Sequence, residues 1–221
     1  MKFPRFLTDL FFPPHCPFCN RTVEREVPAP CPKCESADFW LKPQQVLRTG
    51  DHFSRCVSVG WYTGELRQSV LRFKFNDQPE YAKAYAPLLA KTIRAYLPGS
   101  YDVITWMPVS AKTLQKRGYD QAGRLAEETA AVLNAPVLPL LEKVRDTEAQ
   151  SSLEDGSKRW SNVAGVYSVP HPEQVSGKRV LLIDDIITSG ATLEEGAKTL
   201  LSAGAAQVVA ATFCRTPPHK E

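Results

Sequence analysis

The spacing of apolar and polar positions changes several times along the chain, and each change marks an element. Phe3, Phe6, Leu7, Leu10 and Phe11 recur at helical spacing. They predict a short amphipathic helix that packs on the rest of the protein, with a membrane surface as the lesser alternative. Residues 56–62 alternate and read as a strand, whereas 65–72 and 80–96 read as two helices. An apolar run over 102–109, closed by Pro108, predicts a buried strand. Over 121–133 Leu125 and Ala126 fall on one side of a helix, Glu127 and Glu128 on another. Residues 137–138 suggest a short strand, and 143–162 are polar without an apolar period, as in a long mobile loop. A strongly apolar strand at 180–183, a helix at 193–202 and a closing strand at 207–214 complete the pattern. Strands interleaved with helices of this length predict an α/β fold, a mostly parallel sheet flanked by helices on both faces. Ligands of such sheets sit at the carboxyl ends of the strands. Residues 41–51 read as a linker, so the expected division is 1–45 and 46–221.

Composition narrows the class without naming it. Of 221 residues 43% are apolar and 23% charged, close to a globular average and far from a disordered chain. Nothing repeats at a fixed period, and no run of 18 apolar residues offers a membrane span. The formal charge of +3 is too small for a protein that coats nucleic acid, though a local basic face is compatible with it. Asp9 and Pro13-Pro14 interrupt the first apolar stretch, unlike an export signal, so the expected compartment is the cytoplasm.

Four of the six cysteines, Cys16, Cys19, Cys31 and Cys34, form C-x2-C-x11-C-x2-C. Each CxxC places two sulfurs on one tight turn, and two facing turns complete a tetrahedral zinc site. Two disulfides are the alternative, which a cytoplasmic chain disfavours. Four thiolates leave no open coordination position, so the zinc would be structural and would help fold a segment with little core of its own. It would also lower the formal charge from +3 to +1. His15 could replace one ligand, but four cysteines suffice. Up to Asp38 the segment has five basic and five acidic residues, so charge does not point it at nucleic acid. Cys56 and Cys214 lie in strand-like runs and read as small buried apolar residues.

The most informative stretch runs from Val180 to Thr192. A buried apolar strand leads into Asp184 and Asp185, then into Thr188, Ser189, Gly190, Ala191 and Thr192, where a helix begins. A helix start offers unpaired N–H groups and the positive end of its dipole, and small residues let an anion approach the backbone. Hydroxyls add donors, and the carboxylates can accept hydrogen bonds from a sugar diol. One end therefore suits a phosphate monoester and the other a ribose. The alternative is an ordinary capped turn with solvated acids. There is no Walker loop, dinucleotide fingerprint or H-E-x-x-H motif.

Ile183-Asp-Asp-Ile-Ile-Thr-Ser-Gly-Ala-Thr192 resembles the phosphoribosyl-pyrophosphate (PRPP) motif of type I phosphoribosyltransferases. With the amino-terminal double CxxC, Leu71-Arg-Phe-Lys-Phe, Arg117-Gly-Tyr-Asp-Gln121 and residues 144–167, nearly the whole chain resembles the ComF family of competence and GntX-like proteins. The resemblance implies a zinc ribbon followed by a transferase domain. It implies that Asp184 and Asp185 hold the ribose hydroxyls and that residues 188–192 hold the 5′-phosphate. A loop carrying Ser110, Lys112 and Arg117 would face pyrophosphate. The mobile loop would close over the site with Arg145, Thr147, Gln150 and Arg159, so Arg145 and Arg159 join the two aspartates as candidate catalytic groups. Magnesium would ride on the pyrophosphate. The family commonly has Asn where this chain has Asp120, which exchanges a donor for a charge near the expected anion site. Solvated surface residues are the alternative reading of Lys112, Lys116 and Arg117, and of Arg145 and Arg159 taken singly.

Two functions follow from the resemblance: a PRPP-binding protein of DNA uptake in natural transformation, or a phosphoribosyltransferase of nucleotide or small-molecule metabolism with no DNA role. In the first, partners would be single-stranded DNA or competence proteins. Arg67, Arg72, Lys74, Lys112, Lys116 and Arg117 would track the strand, and Tyr62, Phe73 and Tyr119 would stack on bases. A homodimer is an expectation by analogy with type I enzymes.

Overall fold

The computed structural model describes residues 13–23, 30–75, 78–145 and 165–218. The helix expected over 1–12 and most of the loop expected over 143–162, with Thr147, Gln150 and Arg159, lie outside the described residues. In chain order the elements are helix α1 (Pro32–Glu35), strands β1 (Leu47–Arg48) and β2 (Cys56–Trp61), and helices α2 (Gly64–Phe75) and α3 (Tyr81–Tyr96). Strand β3 (Val103–Trp106) precedes helices α4 (Ala111–Arg117) and α5 (Gln121–Leu133). Strands β4 (Glu142–Lys143), β5 (Tyr167–Ser168) and β6 (Arg179–Ile187), helix α6 (Ala191–Ser202) and strand β7 (Gln207–Arg215) follow.

Five strands form one sheet in the order β1-β2-β7-β6-β3, and β4 pairs with β5 in a separate ribbon. All neighbours in the large sheet are parallel except β1, which runs antiparallel along the edge of β2. The central pair, β6 and β7, registers Val180 on Val208 and Leu182 on Ala210. Both are nearly continuous apolar runs because helices cover both faces. Alternation sorts the side chains: Leu181, Ile183, Val209 and Ala211 join Leu89, Ile93 and Leu125 of α3 and α5. Val180, Leu182, Val208 and Ala210 join Leu193, Ala197 and Leu200 of α6. The mostly parallel, doubly covered sheet is thus as the pattern predicts.

The first of these cores also contains Cys16, Phe18, Cys34 and Phe39. The Phe18 ring lies 5.7 Å from that of Tyr85, which stacks on Phe213 of β7 at 4.0 Å. The cysteine segment is therefore packed into the core of the sheet. Residues expected as a linker are folded too: Pro43–Gln45 make a 3-10 turn, and β1 pairs with β2. Among the described residues no helix is long and apolar enough to cross a membrane.

Three boundaries differ from the sequence pattern for physical reasons. Strand β6 continues through the two aspartates to Ile187 because β7 still pairs with it there, Ile187 opposite Arg215. Ala111–Arg117 is a helix, not a loop: the Ser110 hydroxyl accepts the Thr113 N–H at its start, and Gly118 closes it at φ 81°. Residues 137–138 make one bridge to Ile104 rather than a strand.

Candidate functional site

The site is built where β6 hands over to α6. Adjacent residues of a strand point to opposite faces, so the doubled acid is not a symmetric pair. Asp185 is 4% exposed and turns towards α2, where Lys74 Nζ lies 2.8 Å from its Oδ2. Burial alone would lower the Lys74 ammonium, but the Asp185 charge and hydrogen bond outweigh it and hold the group above its ordinary value. Asp184 accepts the Asp185 N–H at 2.8 Å. Burial, and then the Asp185 carboxylate, push the Asp184 carboxyl well above the usual range. This carboxyl has no ion-pair contact of its own within salt-bridge distance among the described residues, which suits a group awaiting a ligand's hydroxyls.

Residues 188–190 form the turn into α6. Gly190 sits at φ 97°, in the left-handed region, immediately before the first helical residue, Ala191. Ser189 Oγ accepts the Ala191 N–H at 3.4 Å. The turn is held from outside by Arg48, on the far edge strand, which donates to the carbonyls of Thr188 at 3.2 Å and Ser189 at 2.7 Å. Those two bonds fix the carbonyls of the turn from the β1 side. One helical turn on, buried Glu194 accepts the Asp51 and His52 N–H groups, each at 2.8 Å, and faces His52 Nδ1 at 3.0 Å. Residues 48–52 therefore fasten both the loop and the start of α6. Arg48 and Glu194 carry no local signal in the sequence, because their partners lie some 140 residues away.

Beside the acid pair is a cavity of about 390 Å³. Among the described residues Lys74, Lys112, Lys116, Arg117 and Lys143 line it, with Ser110, Thr113 and Phe75 and without a carboxylate. The structure thus brings Ser110, Lys112 and Arg117 together and adds Lys74, Lys116, Lys143 and Phe75. Lys74 belongs to both places and joins the cavity to Asp185. An ionisable residue between Phe73 and Phe75 was the one local hint of its role. Arg145 is exposed at the foot of the β4–β5 ribbon, next to Val144, whose N–H donates to Val166. Arg159 lies outside the described residues.

Other expected roles change. Phe73 is fully buried, and Tyr119 is 7% exposed with its hydroxyl bonded to the Phe73 carbonyl, so neither presents a ring to a nucleic-acid base. Arg72 is engaged with the Pro17 and Phe18 carbonyls, and Lys74 with Asp185, so neither tracks a strand on the surface. The exposed aromatic at the cavity is Phe75, 66% exposed, with the Arg117 guanidinium 5.1 Å from its ring. Asp120 does not confront an anion: its two oxygens accept the Val109 and Gly123 N–H groups, each at 3.0 Å, and cap α5. An Asn could accept only one of the two.

The four amino-terminal cysteine sulfurs lie within 4.8 Å of one another. Cys16 to Cys34 is 4.0 Å and Cys19 to Cys31 is 3.7 Å. A tetrahedron of Zn–S bonds near 2.3 Å has edges of about 3.8 Å, so the donor set and its spacing fit a four-thiolate metal site. Bonded sulfurs would be about 2.05 Å apart, and all six cysteines are free thiols. Cys56 and Cys214 are fully buried, as their strands predict.

Comparison with known proteins agrees with this geometry. Residues 113–221 match the phosphoribosyl transferase domain family. A DNA utilization protein, YhgH, of Salmonella typhimurium is 31% identical over 91% of this chain and 90% of its own length. The chain belongs to the ComF family. Competence protein ComFC of Bacillus subtilis is 28% identical over 91% of this chain and 78% of its own length. That of Streptococcus pneumoniae is 29% identical over 87% and 84%. The likeness to these relatives covers 87–91% of the chain.

Proposed function

We propose that this ComF-family protein binds PRPP at the carboxyl end of β6 and acts as a phosphoribosyltransferase in the uptake or use of DNA. The observation that supports the reading is Lys74, which pairs with Asp185 at 2.8 Å and also lines, among the described residues, a cavity with Lys112, Lys116, Arg117 and Lys143. In this reading Asp184 and Asp185 accept the ribose hydroxyls. Thr188, Ser189, Gly190, Ala191 and Thr192 receive the 5′-phosphate on N–H and hydroxyl donors. Ser110, Lys112 and Arg117 meet the pyrophosphate, and fixed cations stabilise the charge it gathers as it leaves. Arg145 and Arg159 belong to the segment that would cover the site and keep water from the reacting carbon. Magnesium would neutralise part of the pyrophosphate charge. Cys16, Cys19, Cys31 and Cys34 would hold a structural zinc. Free thiols at metal spacing favour the reducing cytoplasm.

The DNA role rests on the relatives, named as competence and DNA utilization proteins. Titration calorimetry with PRPP and magnesium tests the site. The wild type should bind, and a folded Asp184→Asn, Asp185→Asn double variant should not. Equal binding by the two would remove the assignment. Pyrophosphate release with a panel of acceptors then tests transfer. A single strand bound directly should be released steeply by salt, whereas an absence of binding at low salt would confine the DNA role to partner proteins.

A further inference from the structure

We propose that Lys74 is the built-in counter-charge of the ribose-binding acid pair, and that the first cysteine knuckle positions it through Arg72. The inference rests on the PRPP reading above and adds a link between the metal segment and that site.

Helix α2 is gripped near its carboxyl end. Arg72 Nη2 donates to the Phe18 carbonyl at 2.8 Å and to the Pro17 carbonyl at 3.2 Å. Ser69 Oγ donates to the same Pro17 carbonyl at 2.6 Å. Pro17 and Phe18 are the two residues between Cys16 and Cys19. On the remaining side the Tyr119 hydroxyl holds the Phe73 carbonyl. Side chains two positions apart on a helix diverge by about 200°. The turn that Arg72 ties to the knuckle therefore delivers Lys74 on its opposite side, to Asp185 and the cavity. Phe18 is wedged against Tyr85, so the knuckle is itself a fixed support.

The charge arithmetic gives Lys74 its task. Two adjacent carboxylates would repel a ligand carrying phosphate and pyrophosphate. A cation at 2.8 Å from one of them offsets that one's charge and so reduces the repulsion, while leaving Asp184 to accept hydroxyls. The same ammonium lines the cavity in which pyrophosphate would lie. Arg72 touches none of these groups and is a positioning residue.

The test is a double-variant cycle on the full chain, read by binding of PRPP with magnesium and by metal content. Lys74→Gln should weaken binding by about a hundredfold and Arg72→Gln by about tenfold, the range of charge-assisted hydrogen bonds. Arg72→Gln should keep the wild-type metal content. The combined variant should bind no worse than Lys74→Gln alone, because Arg72 acts through Lys74. Wild-type binding by Lys74→Gln overturns the counter-charge, and wild-type binding by Arg72→Gln, or losses that simply add, overturns the latch. A wild-type chain that does not bind PRPP overturns the underlying reading instead. Should Arg72→Gln not fold, Arg72→Lys takes its place. It keeps the charge but not the planar fork, and its binding should still fall.

Discussion

At Asp184 the proposed ribose-binding role and stability pull in opposite directions. Its carboxyl is raised by burial and by Asp185, so the folded state holds its proton to higher pH than the unfolded state does. The associated stability is complete below the unfolded value of about 4 and declines as pH rises through the folded value. Asp184→Asn should therefore raise Tm at pH 8. The gain should vanish towards pH 4, while PRPP affinity is lost at every pH. Thermal melts across that range check the first part and calorimetry the second. Asp120 behaves differently, because its carboxylate is consumed by two backbone N–H groups. Asp120→Asn turns an amide donor against one of them and should cost about 1–2 kcal/mol in a urea titration, with little effect on phosphate affinity.

At the scale of elements, the handover from β6 to α6 works because three segments agree on it. Gly190 supplies a backbone angle that other residues resist, and a Cβ there would stand 3.3 Å from Arg48 Nη2. Gly190→Ala should cost about 1–3 kcal/mol and weaken PRPP binding together with stability. Arg48→Ala should weaken binding more selectively, since it frees the carbonyls of the turn and removes no core packing. Comparing Tm with affinity for the two variants separates these effects. The two elements were unequally legible in the sequence. The span 183–192 was readable because strand, acids, small residues and helix start are consecutive. The β1 edge was read as a linker because its ladder is two residues long and its purpose lies across the sheet. Helix α4 was missed although Ser110 and Gly118 mark its ends, because it buries no side chain and so shows no apolar period.

For the whole molecule, the cysteine segment and the sheet share one core, which gives metal removal a global reach. Stripping the metal with a chelator should lower Tm by about 10 °C or more while unfolding remains a single calorimetric transition. Two resolved transitions would show that the segments melt independently. The α/β class and the four-cysteine cluster were legible because apolar period and cysteine spacing are local properties. The shared core was not, because Phe18, Tyr85 and Phe213 are brought together from distant parts of the chain. Strand β7, the last strand of the sheet in chain order, lies in its middle, between β2 and β6. A nascent chain on the ribosome must therefore carry two unpaired strand edges until residues 207–215 emerge. A message cut short before that point would yield a sticky, open intermediate for chaperones and proteases to clear, with no shortened functional form among its products.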